Sequence, residues 1–301
     1  MSMDILILVQ SATSQGVVWA LLAIGVFITF RILDIADLTA EGSFPLGAGI
    51  AAISITNGYS PWIATLLGFF GGVLAGLVSG LLHTKLKIPA LLAGIITMTG
   101  LYSVTSRVMQ APNIALLGEK TVFSWFQSLG LNKINATIIV GTFIAALVIL
   151  LLFLFFRTET GLAIRATGDN IDMSEANGIN TDNMKMIGYM ISNGCIALSG
   201  ALIAQNNGFA DLNSGVGTIV IGLASIIIAE VLFRNQPLLF RLITIVVGAI
   251  IYRFILAIVF ELNVEPADSK IASAIVLVLC LSLPQIRGKL GLNKSKGGVK
   301  K

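Results

Sequence analysis

Apolar runs recur along the chain, nearly free of charge and separated by short polar stretches. They occupy residues 14–30, 44–56, 61–82, 88–106, 134–156, 186–205, 212–229, 238–260 and 271–286. A bilayer hydrocarbon core about 30 Å thick takes roughly 20 residues of helix, so the pattern predicts about nine crossings, with eight to ten as the bounds. Two runs are irregular. Residues 44–56 are short and open near Ser43-Phe44-Pro45, and 238–260 are interrupted by Arg241 and Arg253. Residues 3–9 are too short to span and are expected to lie at the interface. The expected fold is all-α, a polytopic integral membrane helical bundle with broken helices. One membrane domain covers residues 1–286 and a basic tail covers 287–301.

Composition supports this picture and narrows the function. Of 301 residues, 56% are hydrophobic and 11% charged, with a mean hydropathy of +0.93. A soluble domain carries about 25% charged residues, so the chain has too little polar surface to be a cytosolic enzyme, a disordered protein or a nucleic-acid-binding module. The pI near 9.1 reflects instead which loops stay on the inner side of the membrane. Placing the tail in the cytoplasm puts Lys85, Lys87, Arg157, Arg165, Lys185, Arg234 and Arg241 on the same side, with Arg31 beside them. The opposite loops hold Glu261, Glu265 and Asp268 with Lys270, and a mixed stretch from 107 to 133. An odd number of spans then leaves the N-terminus outside. Residues 1–16 lack a basic n-region, so no cleavable signal peptide is expected.

Little in the chain could carry catalysis. His83 is the sole histidine, and Cys195 and Cys280 sit in separate apolar runs without a CxxC or Cys/His cluster. They read as small core residues; no metal site and no Ser-His-Asp chemistry is expected. There is no HExxH and no GxxxxGK[ST] phosphate loop. The nearest glycine-lysine fragments, 118–121 and 288–290, lack the spacing.

The longest inner loop, 157–185, reads RTETGLAIRATGDNIDMSEANGINTDNMK. Its capping signals are placed for short helices. Thr160 is expected to N-cap a first helix ended by Gly168. Asn170 should cap a second, with Asp172 at its positive end and Gly178 at a left-handed stop, and Thr181 should cap the next span. The pattern is that of a compact two-helix platform.

This loop resembles the cytoplasmic coupling region of ATP-binding-cassette (ABC) importer permeases of the branched-chain amino acid and ribose type. The resemblance rests on Gly161, Arg165-Ala166, Gly168, Asn170, Ala176 and Gly178-Ile179. SGLLHTKLKIPALLAGIITMTGLYSV (79–104) resembles the family's Lys-x-x-Ile-Pro stretch, and DLTAEGSFPLGA (37–48) its early Asp-Leu-Ser…Gly-Ala segment. The stretch 201–233 is similar to the subgroup found beside binding proteins for aromatic amino acids, especially tryptophan. It departs from the sugar-permease pattern, which has Glu-Leu and Gly-Gly pairs here.

The resemblance implies a passive transmembrane subunit of a bacterial inner-membrane importer, C-terminus cytoplasmic, moving a small solute. An amino acid is expected as cargo, with an aromatic one such as tryptophan favoured. It implies two copies enclosing a central path and an extracytoplasmic substrate-binding lipoprotein. A separate ATPase would carry ATP and Mg, this chain itself holding no cofactor. It implies contact with lipid and none with nucleic acid. The expected ATPase-coupling residues are Gly161, Arg165, Ala166, Gly168, Asp169, Asn170, Glu175, Ala176 and Gly178. A stand-alone transporter driven by an ion gradient remains an alternative, with Asp37, Glu41, Asp211 and Arg253 as a proton relay, as does the same permease with a sugar or nucleoside cargo.

Two polar interruptions are candidates for the pathway. Asp34, Asp37 and Glu41 fall at i, i+3 and i+7, so a helix would carry all three on one face. Asn206, Asn207, Asp211 and Asn213 form the second interruption. Polar, Gly-interrupted stretches in two halves suggest inverted repeats with irregular backbone lining a path; ordinary loops between spans are the alternative. Asp37, Thr39, Glu41, Ser43, Asn206, Asn207, Asp211, Asn213 and Arg253 are the expected pathway residues. Arg253 lies about 18 Å along a helix from Arg241. A lone charge at that depth costs about 2.5–3.5 kcal/mol on insertion scales, so a carboxylate partner is expected. Gly68, Gly72, Gly76 and Gly80 form a small-residue stripe suited to close packing within the subunit, or to a dimer seam. Trp19, Trp62 and Trp125 are expected at the interfaces.

Overall fold

The computed structural model describes residues 2–128, 130–233 and 236–261, together with 271, 274, 275, 278 and 282. Eight of the nine expected crossings are helices: α1 (Ser2–Phe27), α2 (Ala40–Thr56), α3 (Pro61–Thr84), α4 (Ala90–Met109), α6 (Lys133–Phe155), α9 (Thr181–Asn207), α10 (Thr218–Leu232) and α11 (Leu238–Glu261). The ninth span, the basic tail, Arg234 and the carboxylates Glu265 and Asp268 fall outside the described residues, apart from the isolated positions named above. Short helices α5 (Ser124–Ser128), α7 (Glu159–Asp169) and α8 (Ile171–Ala176) are the other α-helices within the continuously described stretches. Residues 3–9 belong to the first turns of α1 and form no separate interfacial segment. Their hydrogen bonds continue those of the long helix, which needs no break there.

Lengths separate full spans from partial ones. Among the described residues six helices are long and apolar enough to cross a membrane, whereas α2 has 17 residues and α10 has 15. At 1.5 Å per residue these reach only about 25 and 22 Å, short of a 30 Å core. Each begins on irregular backbone. A π turn, Ile28–Ile32, ends α1, and non-helical residues 33–39 lead into α2. Residues 208–217 lead from α9 into α10.

The two long helices before these breaks run antiparallel at the centre of the bundle. The Ser199 hydroxyl donates to the Val18 carbonyl at 2.9 Å and Ser192 donates to that of Gly25 at 2.7 Å. Within their most apolar windows, 78% of α1 and of α9 is buried, against 28–39% for α3, α4, α6 and α11. The last four therefore present most of their surface outward, where apolar side chains cost nothing in lipid.

The glycine stripe of α3 packs inside the subunit. A Cβ on Gly72 or Gly76 would run into the α9 backbone at Asn193 or Tyr189, and one on Gly80 would sit 3.2 Å from Met186. Small residues thus let α3 and α9 meet backbone to backbone. Outside the helices, β1 (Asn113–Ala115) pairs antiparallel with β2 (Phe209–Asp211), joining the segments that follow α4 and α9. Three residues per strand carry too weak an alternation for the sequence to show this ribbon.

Candidate functional site

The platform after α6 forms as two helices, with two caps displaced from expectation. The side chain of Thr158, not Thr160, accepts from the Gly161 amide at 3.2 Å. Helix α7 then runs through Gly168 to Asp169. Gly168 is no stop signal: a Cβ there would strike the Ile32 carbonyl oxygen in the π turn. Gly161 likewise lies against the Phe155–Phe156 backbone at the end of α6. Asn170 caps α8 as expected, accepting from the Met173 amide at 2.9 Å, and Asp172 lies in its first turn. Gly178 has φ +81°, the left-handed conformation glycine adopts without strain. Asn180, not Thr181, caps α9; Thr181 donates instead to Glu175 at 2.7 Å, tying α8 to the span it precedes.

The platform therefore has two faces. Gly161, Ile164, Thr167 and Gly168 turn inward, onto α6 and the π turn. Arg165, Asp169, Asn170, Glu175, Ala176 and Gly178 are exposed, with Ala166 half-buried between the faces. Leu162 and Met173 are also exposed, at 52% and 67%. Beside them Arg165 shares a cleft of about 180 Å³ with Arg31 and Arg241. Glu230, at the end of α10, pairs with Arg31 and, at 3.1 Å, with Arg241, gathering α1, α10 and α11 at this basic end.

Beyond the π turn the three carboxylates of the first interruption diverge, contrary to the one-face expectation. Asp34 adopts φ +55° and residues 33–39 form no helix, so helical spacing does not apply. Asp34 is exposed. Asp37 is 1% exposed, with Oδ1 accepting from the Thr39 amide at 2.9 Å and Oδ2 from Asn193 Nδ2 at 2.8 Å. Ser43 donates to Asn193 Oδ1 at 2.7 Å, and Thr39 donates to Ser79 at 2.8 Å. Asp37, Thr39 and Ser43 are thus bound into one buried polar cluster linking α2, α3 and α9. A buried carboxylate is tolerable only with such donors. Asn193 and Ser79 were missed from sequence, although each is a polar residue inside an apolar run, which was the available signal.

Glu41 alone of the three opens onto a groove. Its Oε1 accepts from the Gly217 amide at 3.0 Å, so the starts of α2 and α10 meet at this side chain. The groove, about 320 Å³, also includes Asn213 and the middle turns of α4 at Met98, Tyr102 and Ser103. The other expected pathway residues lie elsewhere. Asn206 accepts from Thr137 at 2.9 Å and, with Asn207, borders a separate pocket of about 400 Å³ between α1, α6 and α9. Asp211 accepts from the Asn213 amide at 2.9 Å, closing the turn after β2.

Arg253 packs its guanidinium over the Trp19 ring, 4.1 Å from the centroid. Among the described residues no carboxylate pairs with it; the ring face supplies the negative electrostatic surface expected of a carboxylate. Trp19 accordingly lies within the bundle, stacked on Phe44 at 5.3 Å, and is no interfacial anchor. Trp62 and Trp125 are exposed, at the start of α3 and in α5. Arg253 on Trp19, Asp37 on Asn193 and Asp211 in its own turn thus have different partners, and among the described residues no hydrogen bond links these three to one another.

Comparison with known proteins agrees with this architecture. Residues 8–281 match the family described as "Branched-chain amino acid transport system / permease component". The chain is 40% identical over 290 residues to the tyrosine transport system permease protein of Clostridioides difficile, covering 96% of this chain and 94% of that one. It is 29% identical to the galactofuranose transporter permease protein of Escherichia coli (91% and 78% covered). It is 28% identical to the autoinducer 2 import system permease protein of Salmonella paratyphi B (72% and 61% covered). Among solved structures, PsaBC from Streptococcus pneumoniae in complex with Fab matches with a TM-score of 0.52 at 14% identity over 90% of each chain, a likeness of fold. The chain is thus a multi-pass helical membrane protein belonging to the permease family of branched-chain amino acid-type ABC transport systems.

Proposed function

We propose that this chain is the membrane-spanning subunit of an ABC importer for an amino acid with an aromatic side chain. Two copies enclose the path, and an extracytoplasmic binding protein delivers cargo. A separate ATPase, carrying ATP and Mg, docks on the exposed face of α7–α8 from the cytoplasm. The chain itself performs no chemistry and lies in a bacterial inner membrane with its C-terminus inside. The relative that transports tyrosine supports an aromatic cargo, while the sugar and autoinducer permeases are less similar.

One observation carries the reading. Gly168 of α7 abuts the carbonyl of Ile32, and Ile32 directly precedes the irregular segment that enters α2. A push on the outer face of the platform therefore meets backbone, with no compressible side chain between, at the start of a broken helix. Because packed interiors transmit strain, movement of a docked ATPase reaches Asp37 and Glu41 through a short rigid path.

The outer face can be tested without disturbing the inner one. Met173→Glu, at an exposed apolar position, should weaken co-purification with the ATPase encoded beside this chain by about tenfold or more, equal to roughly 1.4 kcal/mol. Helical content and melting temperature should stay unchanged. Full ATPase binding and uptake of radiolabelled aromatic amino acid by the variant would overturn the docking assignment.

A further inference from the structure

At the basic end of the bundle, arginines from three separate stretches of chain converge. Arg31 lies in the π turn after α1, Arg165 on α7 and Arg241 in the first turn of α11, and all three border the cleft of about 180 Å³. Arg31 stands at the end of the first membrane-length helix and Arg241 near the start of another, so the cleft opens at the membrane–water boundary. Glu230 binds one nitrogen of Arg31 and one of Arg241. A guanidinium carries five N–H donors, and these two side chains stay 49% and 39% exposed, so most of their donors remain open. Arg165 forms no ion pair among the described residues. Asp169 also borders the cleft, so three guanidinium groups face two carboxylates there, and the balance is positive.

A second cavity at the same end points to an amphipathic ligand. It measures about 340 Å³ and adjoins the cleft, sharing Gln236 and Arg241 with it. Phe27, Ile226, Ala229, Phe233 and Ile245 give it an apolar lining between α1, α10 and α11. Arg241 is positioned between the two spaces, its guanidinium 5.0 Å from the centroid of the Phe27 ring. Leu232, Phe233, Phe240 and Ile243, at the same end of α10 and α11, are between 40% and 54% exposed, a surface suited to acyl chains. Pro237 and Leu238 bring the start of α11 to the edge of the cleft. Amides in the first turn of a helix lack intrahelical acceptors and favour an anion. Guanidinium forks match the oxygens of a phosphate. Positive charge, helix start and apolar cavity together fit a phosphate carried on a hydrocarbon chain.

We propose that cleft and cavity form one site for an anionic phospholipid, its phosphate held by Arg31, Arg165 and Arg241 and part of one acyl chain entering between α10 and α11. Anionic lipids gather on the cytoplasmic leaflet, the side that the distribution of Lys and Arg assigns to this end. Occupancy bears on the joint between platform and bundle. Ile32 of the π turn and Arg165 of α7 border the same cleft, so a bound phosphate fastens the platform to α1 and α11. The lipid is thereby a ligand that stiffens the platform, whichever cargo is carried.

Native mass spectrometry of the full chain in detergent tests this, with melting temperature as a second readout. Phosphatidylglycerol should be retained, one lipid per chain, about tenfold more tightly than phosphatidylcholine, and should raise the melting temperature. Glycerol 3-phosphate, a phosphate without acyl chains, should displace it poorly. Arg31→Gln and Arg241→Gln should each abolish the preference. Glu230→Gln, which releases both guanidinium groups, should strengthen it, whereas a purely structural role for the ion pairs predicts weakening in all three variants. Equal retention of the two lipids, a preference unchanged in both arginine variants, or a preference weakened in Glu230→Gln would each overturn the proposal. Displacement by glycerol 3-phosphate as effective as by phosphatidylglycerol would make this a site for soluble phosphate and overturn the lipid assignment. Loss of ATPase co-purification in the arginine variants, with no lipid preference in the parent, would overturn it in favour of a protein-docking surface. Should the variants not fold, the three ligands compared on the parent decide. Neither cargo nor ATPase enters the lipid measurement, so its failure would leave the importer reading standing, and failure of that reading would leave the lipid site standing.

Discussion

Asn193 ties two carboxylate-bearing elements together with a single side chain. Its Nδ2 donates to Asp37 and to the Tyr189 carbonyl, and its Oδ1 accepts from Ser43. Asn193→Ala leaves Asp37 Oδ2 without a partner in a buried site, which costs about 1–3 kcal/mol. A lowered melting temperature in detergent should register this, with a smaller loss for Ser43→Ala. A second comparison separates two roles of glycine on one platform. Gly168→Ala collides with the Ile32 carbonyl, whereas Gly178, at φ +81°, has open space around its Cβ position. Gly178→Ala should cost about 1 kcal/mol of backbone strain and spare coupling. Gly168→Ala should displace α7 and uncouple ATP hydrolysis from uptake in a reconstituted transport assay.

Short helices with irregular entrances distinguish this bundle from a set of plain spans. α2 and α10 are each too short to span a bilayer alone, and each follows a long central helix, α1 or α9, running in the opposite sense to the other. At the basic end, Glu230 on α10 binds Arg31 and Arg241, joining three elements. Exposed pairs of this kind contribute about 0–1 kcal/mol each and weaken with salt. Glu230→Gln should therefore lower stability by about 1 kcal/mol at low ionic strength, with the difference from wild type shrinking as NaCl is added. A salt-independent loss of several kcal/mol would mean that the carboxylate is structurally buried in the assembled protein.

For the whole molecule, the source of energy is the decisive property. The candidate ionisable groups have separate partners: one is sealed at Asn193, one closes the turn after β2, one lies on Trp19 and one opens onto the groove. Vesicles holding the chain with its ATPase and binding protein should accumulate cargo only when ATP is supplied on the platform side. Vesicles holding the chain alone should show no uptake under a proton or sodium gradient.

The sequence by itself determined the solvent, the helices and the platform. Uncharged runs of membrane length, Asn170 with Asp172, and the glycine stripe of α3 are local patterns with strong physical penalties for any other outcome. The helix boundaries that it misplaced, at Thr158 and Asn180, are cases where neighbouring polar side chains compete for the same cap. Only the tertiary structure decided which polar residues share a site. Asp34, Asp37 and Glu41 are close in sequence, but the non-helical 33–39 segment sends them to an exposed position, a sealed cluster and an open groove. Asn193 and Tyr102, from α9 and α4, and Gly217, just before α10, join them from elements that sequence distance says nothing about. Burial and hydrogen-bond reach depend on which backbones pack together, and in this bundle the contacts of α9 with α1, α2 and α3 make that choice.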